Sequence, residues 1–211
     1  MLWILFSFIL LSAKFKGAEV YIYRGDSLRI KGAEVKKERK GDTLYISAEL
    51  IIHNALNIFG IALERVEIEL PGDILYLEIT GERTWIYIKG EGLHIENAEI
   101  SVKNGKIVFQ GGRGRLRNSL IELVVSSFEA KKMGREEIKR MRINSSFSKM
   151  SLDLKGVWNR GTRFDLYSLF SFIDIILPDK AGFVSSSLRL YKKGTPIIRF
   201  ELKGGMNRVR R

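Results

Sequence analysis

The stretch Gly90–Phe109, GEGLHIENAEISVKNGKIVF, decides the fold class. Ala98, Ile100 and Val102 alternate with Glu99, Ser101 and Lys103, and Ile107 and Phe109 alternate with Lys106 and Val108. A period of two places one apolar and one largely polar face on a β-strand. Asn104-Gly105 between the runs is the dipeptide a tight two-residue turn prefers, because both of its central residues need positive φ, so the stretch predicts an antiparallel hairpin. The alternation slips between Ile95 and Ala98, which predicts a β-bulge at Glu96-Asn97. Upstream, Gly25–Val35 echoes Gly90–Ile100 almost position by position, so the sheet unit is repeated.

Outward from this stretch the same period continues. Leu44, Ile46, Ala48, Leu50 and Ile52 share a face after a turn at Lys40-Gly41-Asp42. Val66, Ile68 and Leu70 precede Pro71-Gly72-Asp73, and Leu75, Leu77 and Ile79 follow it, which predicts a second hairpin. Leu116–Met133 is apolar on both faces and leaves covered strand and buried helix open, and 134–141 reads as a short helix with Glu136 and Arg140 one turn apart. One segment changes period. Leu166, Leu169, Phe170, Ile173, Ile176 and Leu177 fall at helical spacing between Asp165, a suitable N-cap, and Pro178, a suitable stop. These readings give a mainly β domain over 19–205, an elongated antiparallel twisted sheet resembling a jelly roll or open groove, with one or two short helices including one near 165–177. A basic tail follows at 206–211.

Composition narrows the function. The 211 residues carry a net charge of +12, no cysteine and 45% hydrophobic residues. That is enough apolar content for a core, no disulfide or thiolate chemistry, and a surface that attracts anions. Residues 2–11, LWILFSFILL, run uncharged into Ser12-Ala13-Lys14, which is the length of a secretory h-region and short of a membrane span. Residues 1–18 are therefore expected to be a signal peptide or short membrane-targeting leader, cut after Ala13 or Ala18. His53 and His94 have no companion ligands at metal-binding spacing, and nucleophile elbows, P-loops and dinucleotide fingerprints are absent from the sequence. The expectation is a non-enzymatic protein with no catalytic residues, metal or cofactor. Gly111–Asn118, GGRGRLRN, fits either an exposed arginine turn or a nucleic-acid backbone contact.

The passage from Asp153 to Leu190, with its Leu-Pro-Asp-Lys-Ala-Gly run into a strand, and the shape of Leu93–Phe109 resemble the AsmA/TamB bacterial envelope proteins. Leu28–Gly111, with Leu44-Tyr45-Ile46-Ser47-Ala48-Glu49, is similar to the LptA/LptC/OstA lipopolysaccharide-transport modules. Both resemblances imply an exported protein, periplasmic or associated with the inner membrane, whose apolar β-groove binds or passes lipid acyl chains. Under that implication the groove is lined by Leu44, Ile46, Ala48, Leu50, Val66, Ile68, Leu75, Leu77, Ala98, Ile100, Val102, Ile107 and Phe109. Arg113, Arg115, Arg117, Arg208, Arg210 and Arg211 would contact anionic headgroups. The same lining residues would fill a closed sandwich core equally well, and the sequence leaves groove and core open. Two alternatives stand beside lipid binding: a structural adaptor whose sheet edge pairs with another envelope β-protein, and a basic nucleic-acid binder.

Overall fold

The computed structural model describes residues 8–51, 63–179 and 181–210. The chain is almost entirely β, as the alternation requires, but the strands stack in parallel. Each coil sends one strand through a first sheet, turns a corner, and returns through a second sheet facing it. The successive coils are β7 (Asp73–Glu82) with β8 (Trp85–Lys89), β9 (His94–Lys103) with β10 (Lys106–Gln110), β11 (Arg115–Val124) with β12 (Ser127–Lys131), and β13 (Glu137–Ser146) with β14 (Lys149–Asp153). In the next coil both sheets are served by one bent strand, β15 (Thr162–Ile176). Ile79, Ile100, Ile121, Ile143 and Leu166 occupy one column, spaced 21, 21, 22 and 23 residues apart. This is a parallel β-solenoid with a repeat of about one coil per 22 residues.

The N-terminal coil enters out of order. β1 (Phe8–Lys16) lies parallel between β5 (Thr43–Ile51) and β7, and β2 (Ala18–Gly25) lies parallel between β6 (Glu64–Pro71) and β8. Ile9, Leu11, Ala13 and Phe15 are buried in the common core. The described part of the expected leader is thus a central strand hydrogen-bonded on both edges, and a chain cut after Ala13 or Ala18 would lack it.

Antiparallel pairing is found at the ends. β3 (Arg29–Lys31) covers β6, and β4 (Glu34–Lys40) covers β5. At the other end, β16 (Gly182–Ser185) pairs in parallel with β18 (Ile197–Arg210) and antiparallel with β17 (Leu190–Lys192). The exposed edge strand β4 carries Lys36, Lys37, Arg39 and Lys40, charges that discourage edge-to-edge addition.

Four local expectations are corrected. The antiparallel hairpin at Asn104-Gly105 is a corner between opposed sheets, with β9 and β10 each paired to other coils. Alternation is the same in parallel and antiparallel strands, so it could not decide between them. The hairpin at Pro71-Gly72-Asp73 is likewise a corner from β6 to β7. The helix at 165–177 is β15: Phe164 and Leu166 point inward, Phe170 turns the corner at φ 47°, and Ile173 and Ile175 point inward again. The corner inverts the alternation, and two strands out of phase imitate helical spacing. The short helix at 134–141 reduces to a 3₁₀ turn at Met133–Arg135 followed by β13. The expected tail is ordered as well, since Met206–Arg210 is the far half of β18, paired with Phe172–Ile176.

The slip in alternation at Glu96-Asn97 is present, but as a kink shared in register by neighbouring coils and not as the expected β-bulge, since no strand carries an extra residue there. Ile95 and Ala98 are both buried, and the ladder skips Leu75, Glu96, Arg117 and Lys139 in register. Burying a large apolar side chain in this core contributes roughly 1.5–3 kcal/mol, and truncating a buried Phe costs roughly 3–5 kcal/mol. Phe15→Ala is therefore expected to lower unfolding stability by about 3 kcal/mol or more in urea titration. Exposed Phe8→Ala should change it by less than about 0.5 kcal/mol.

Candidate functional site

The interior is closed. Leu44, Ile46, Ala48, Val66, Ile68, Leu77, Ala98, Ile100, Val102, Ile107 and Phe109 all lie in one buried cluster. Leu50 is half-buried against it, and Leu75 is exposed at the kink that it shares with Glu96. Both sheets contribute to this cluster: Ile46, Leu77, Ile100 and Val102 from the first, and Ile68, Ile107 and Phe109 from the second, where Ile86, Phe128, Met150 and Ile173 continue the inward face.

The unusual chemistry is on the outside, at the corner joining the first sheet to the second. One residue per coil adopts the left-handed conformation there: Arg83, Asn104, Val125, Phe147 and Phe170, with φ between 47° and 54°. Their N–H groups pin the coils together. Arg83 donates to Lys103 O (2.9 Å), Asn104 to Val124 O (3.0 Å), Val125 to Ser146 O (2.9 Å) and Phe147 to Leu169 O (2.9 Å). The next position carries a buried hydroxyl or a glycine. Ser126, Ser148 and Ser171 accept the N–H of Gly105, Ser126 and Ser148 respectively, each at 3.1 Å. Their hydroxyls donate back to Val124, Ser146 and Leu169 carbonyls at 2.7–3.0 Å. A Cβ at Gly105 would stand 2.2 Å from Thr84 O, so Asn-Gly serves this corner by supplying one left-handed residue and one close approach.

Asn tolerates the left-handed region, whereas a β-branched or aromatic residue there is an outlier. Val125, Phe147 and Phe170 nevertheless hold it, exposed by 55%, 61% and 72%. The Phe147 and Phe170 rings stack at 5.3 Å. Val124 and Leu169 flank them on the first sheet, and Trp85 and Met206 stand on the adjoining row of the second. Seven of the thirteen exposed large hydrophobic residues among those described lie on these three neighbouring rows. Exposed Arg83, Lys103 and Lys149 lie among them, and Lys103 is directly beside Val124.

The arginines expected at headgroups are divided. Arg115 holds Glu137 at 3.3 Å, Arg117 holds Glu96 at 2.8 Å, and Arg210 donates from Nε to Asp174 at 3.0 Å. Arg113 lies at the opposite corner, where its N–H donates to Glu91. Arg208 is exposed two residues beyond Met206, at the end of the ridge. Arg211 and His53 lie outside the described residues. His94 pairs with Asp73 at 2.9 Å.

The opposite corner holds a buried carboxylate. Glu136 is 5% exposed, accepts the Gly112 N–H at 2.5 Å, and abuts Gly90 and Gly114, where any side chain would collide with it. Burial pushes its pKa up to about 7 against the relief given by the Gly112 and Gly114 N–H groups, and Glu91 adds to the rise. Buried Asp165 is the converse case. Burial raises it, but hydrogen bonds and charge from Arg163 (2.7 Å) and Arg140 (2.6 Å) overcome that and hold it below the ordinary range.

No protein-family model and no curated protein matches the chain. Among solved structures, a candidate cell-adhesion protein of Clostridium sporogenes is similar at 12% identity and a TM-score of 0.39, covering 96% of this chain and 91% of its own. A candidate adhesin of Bacteroides fragilis is similar at 12% identity and a TM-score of 0.35, covering 95% and 92%. Likenesses this loose carry no inference about function.

A raised carboxylate has a defined effect on stability. Between about pH 4.5 and about pH 7 the folded chain keeps the Glu136 proton that the unfolded chain releases, so this residue's contribution falls as pH rises through that window. Glu136→Gln should remove that slope and stabilise the protein at pH 8 by up to about 3 kcal/mol, read from chemical denaturation at several pH values.

Proposed function

We propose that this protein is a non-catalytic, peripheral lipid-surface protein that lies side-on against an anionic bilayer through the Phe147–Phe170 corner. The single observation that carries the reading is the row of exposed apolar residues in left-handed backbone. A polar Asn or Gly would be less strained and more soluble at each of these positions. Strained, exposed aromatic positions need a reason outside the fold, and an apolar partner supplies one.

The flanking charge supports a lipid partner. Aromatic and aliphatic side chains flanked by lysine and arginine suit the boundary between acyl chains and anionic headgroups. Inserting Phe147 and Phe170 is worth roughly 1.5–3 kcal/mol each, and each basic residue near the surface contributes ~1 kcal/mol. Less the cost of association, this describes reversible attachment. Acyl contact is thereby moved from a groove within the sheet to the outside of the solenoid. The expected export and the envelope location, periplasmic or at the inner membrane, belong to this reading.

The double variant Phe147→Asn/Phe170→Asn separates binding from folding, because Asn accepts left-handed φ. Flotation with equimolar phosphatidylglycerol and phosphatidylcholine vesicles should show about tenfold or greater loss of binding, with thermal stability equal to or above the parent's. Binding that is unchanged in the variant, or equally strong to pure phosphatidylcholine, would overturn the proposal.

A further inference from the structure

The outer face of the second sheet carries a second feature, beyond Trp85 and away from the corner ridge. Tyr21 of β2 stands in register with Tyr87 of β8, and their rings stack at 4.9 Å with 11° between the planes. The Arg65 guanidinium lies 4.5 Å from the Tyr21 ring, on the side of β6. Both tyrosine hydroxyls interact with Glu19. Val108 of β10 is next in this row. Two residues further along the same three strands stand Tyr23, Lys89 and Gln110, again on the outer face. A hollow of about 450 Å³ runs over both rows and is bounded at one end by Arg65 and Glu67.

Cross-strand pairing accounts for only part of this cluster. The stacked rings and the cation stabilise the sheet, and they occupy both faces of Tyr21 and one face of Tyr87. The second face of Tyr87 looks along the axis over Val108, whose short side chain leaves a step beside the ring. At that step the Tyr23 hydroxyl and the Gln110 amide have no hydrogen-bond partner among the described residues. Charge in the hollow is close to balanced. Arg65 pairs with Glu67 at 2.8 Å, Glu129 on the far side of Val108 is held by Lys106 and Lys131 at 3.6 and 3.1 Å, and Lys89 adds one cation without a carboxylate partner among the described residues.

We infer that this hollow is a binding site for a neutral glycan, with one sugar ring laid against Tyr87 over Val108. A sugar ring presents C–H groups on its faces and hydroxyls around its rim. The free face of Tyr87 and the Val108 methyls match the first, and the donors and acceptors of Tyr23, Lys89 and Gln110 match the second. An apolar floor with a few polar groups at its margin is the usual make-up of a small-molecule site, and the hollow has the volume of one. An anionic ligand would find a single unanswered cation here. A wholly apolar ligand would cover the Gln110 amide and the Tyr23 hydroxyl without pairing them, at a cost in free energy.

A panel of immobilised neutral oligosaccharides of glucose, mannose, galactose and N-acetylglucosamine tests the inference, with polygalacturonate and a single-stranded oligonucleotide as charged controls. The protein should retain at least one neutral glycan, with an affinity that changes less than about twofold between about 50 and about 500 mM salt. Val108→Phe, which fills the step with a ring of the protein's own, should weaken that binding at least about tenfold. Gln110→Ala should weaken it by about three- to tenfold while leaving vesicle flotation and thermal stability unchanged. Retention of no neutral glycan, retention of the charged controls alone, binding that salt removes, or binding that survives Val108→Phe undiminished would overturn it.

Discussion

Every strand in the body of this solenoid is hydrogen-bonded on both edges to the same position of a neighbouring coil, and this in-register stacking governs the rest. A backbone paired in that way answers its own N–H and C=O groups within the sheets, so the interior can be filled chiefly by apolar side chains, with Ser119 and Ser145 among the few polar ones facing inward. It also forces like positions into columns. An inward column of Ile79, Ile100, Ile121, Ile143 and Leu166 makes the core, and a corner column makes Ser126, Ser148 and Ser171 a ladder of reciprocal hydrogen bonds. The left-handed residue at each corner follows from the same constraint, because the chain must turn sharply between sheets without losing registry.

Stacking explains why an apolar ridge can be built so simply. Substitution at one corner position changes one residue in a column already aligned along the axis, so Val125, Phe147 and Phe170 form a continuous edge with no further architecture. The closed core and the exposed ridge are alternatives for acyl contact, and this chain places its apolar excess outside. The outer row of Tyr21, Tyr87 and Val108 on the second sheet comes from the same registry applied to a different column.

The strands and the slip in alternation at Glu96-Asn97 were legible because inward and outward positions differ in polarity whichever way a neighbour runs; that every coil shares the slip, so that it is a kink and not a bulge, shows only in the register. Strand direction was not, since alternation carries no record of it. The period of about 22 was present in the sequence as recurring corner segments: Asn104-Gly105-Lys106-Ile107, Val125-Ser126-Ser127-Phe128, Phe147-Ser148-Lys149-Met150 and Phe170-Ser171-Phe172-Ile173. Aligning them would have exposed both the coil and the ridge. Asp165 looks like a helix cap in the sequence because corner inversion imitates a helical period. The ion pairs that hold it come from coils whose adjacency only the register reveals. The apolar run at the N-terminus has the length of a secretory h-region, and the alternation of Ile9, Leu11, Ala13 and Phe15 in its described part equally suits a strand facing the core.

The central claim is that apolar contact with lipid occurs on the corner and not inside the sheet. A fluorophore attached at position 147, and separately at position 45 on the outer face of β5, can be monitored on vesicles of phosphatidylglycerol containing brominated acyl chains. The account predicts strong quenching at 147, little at 45, and unchanged protection of the core amides of β9 and β11 from hydrogen exchange on binding. Equal quenching at both positions, or loss of core protection as lipid enters between the sheets, would contradict it.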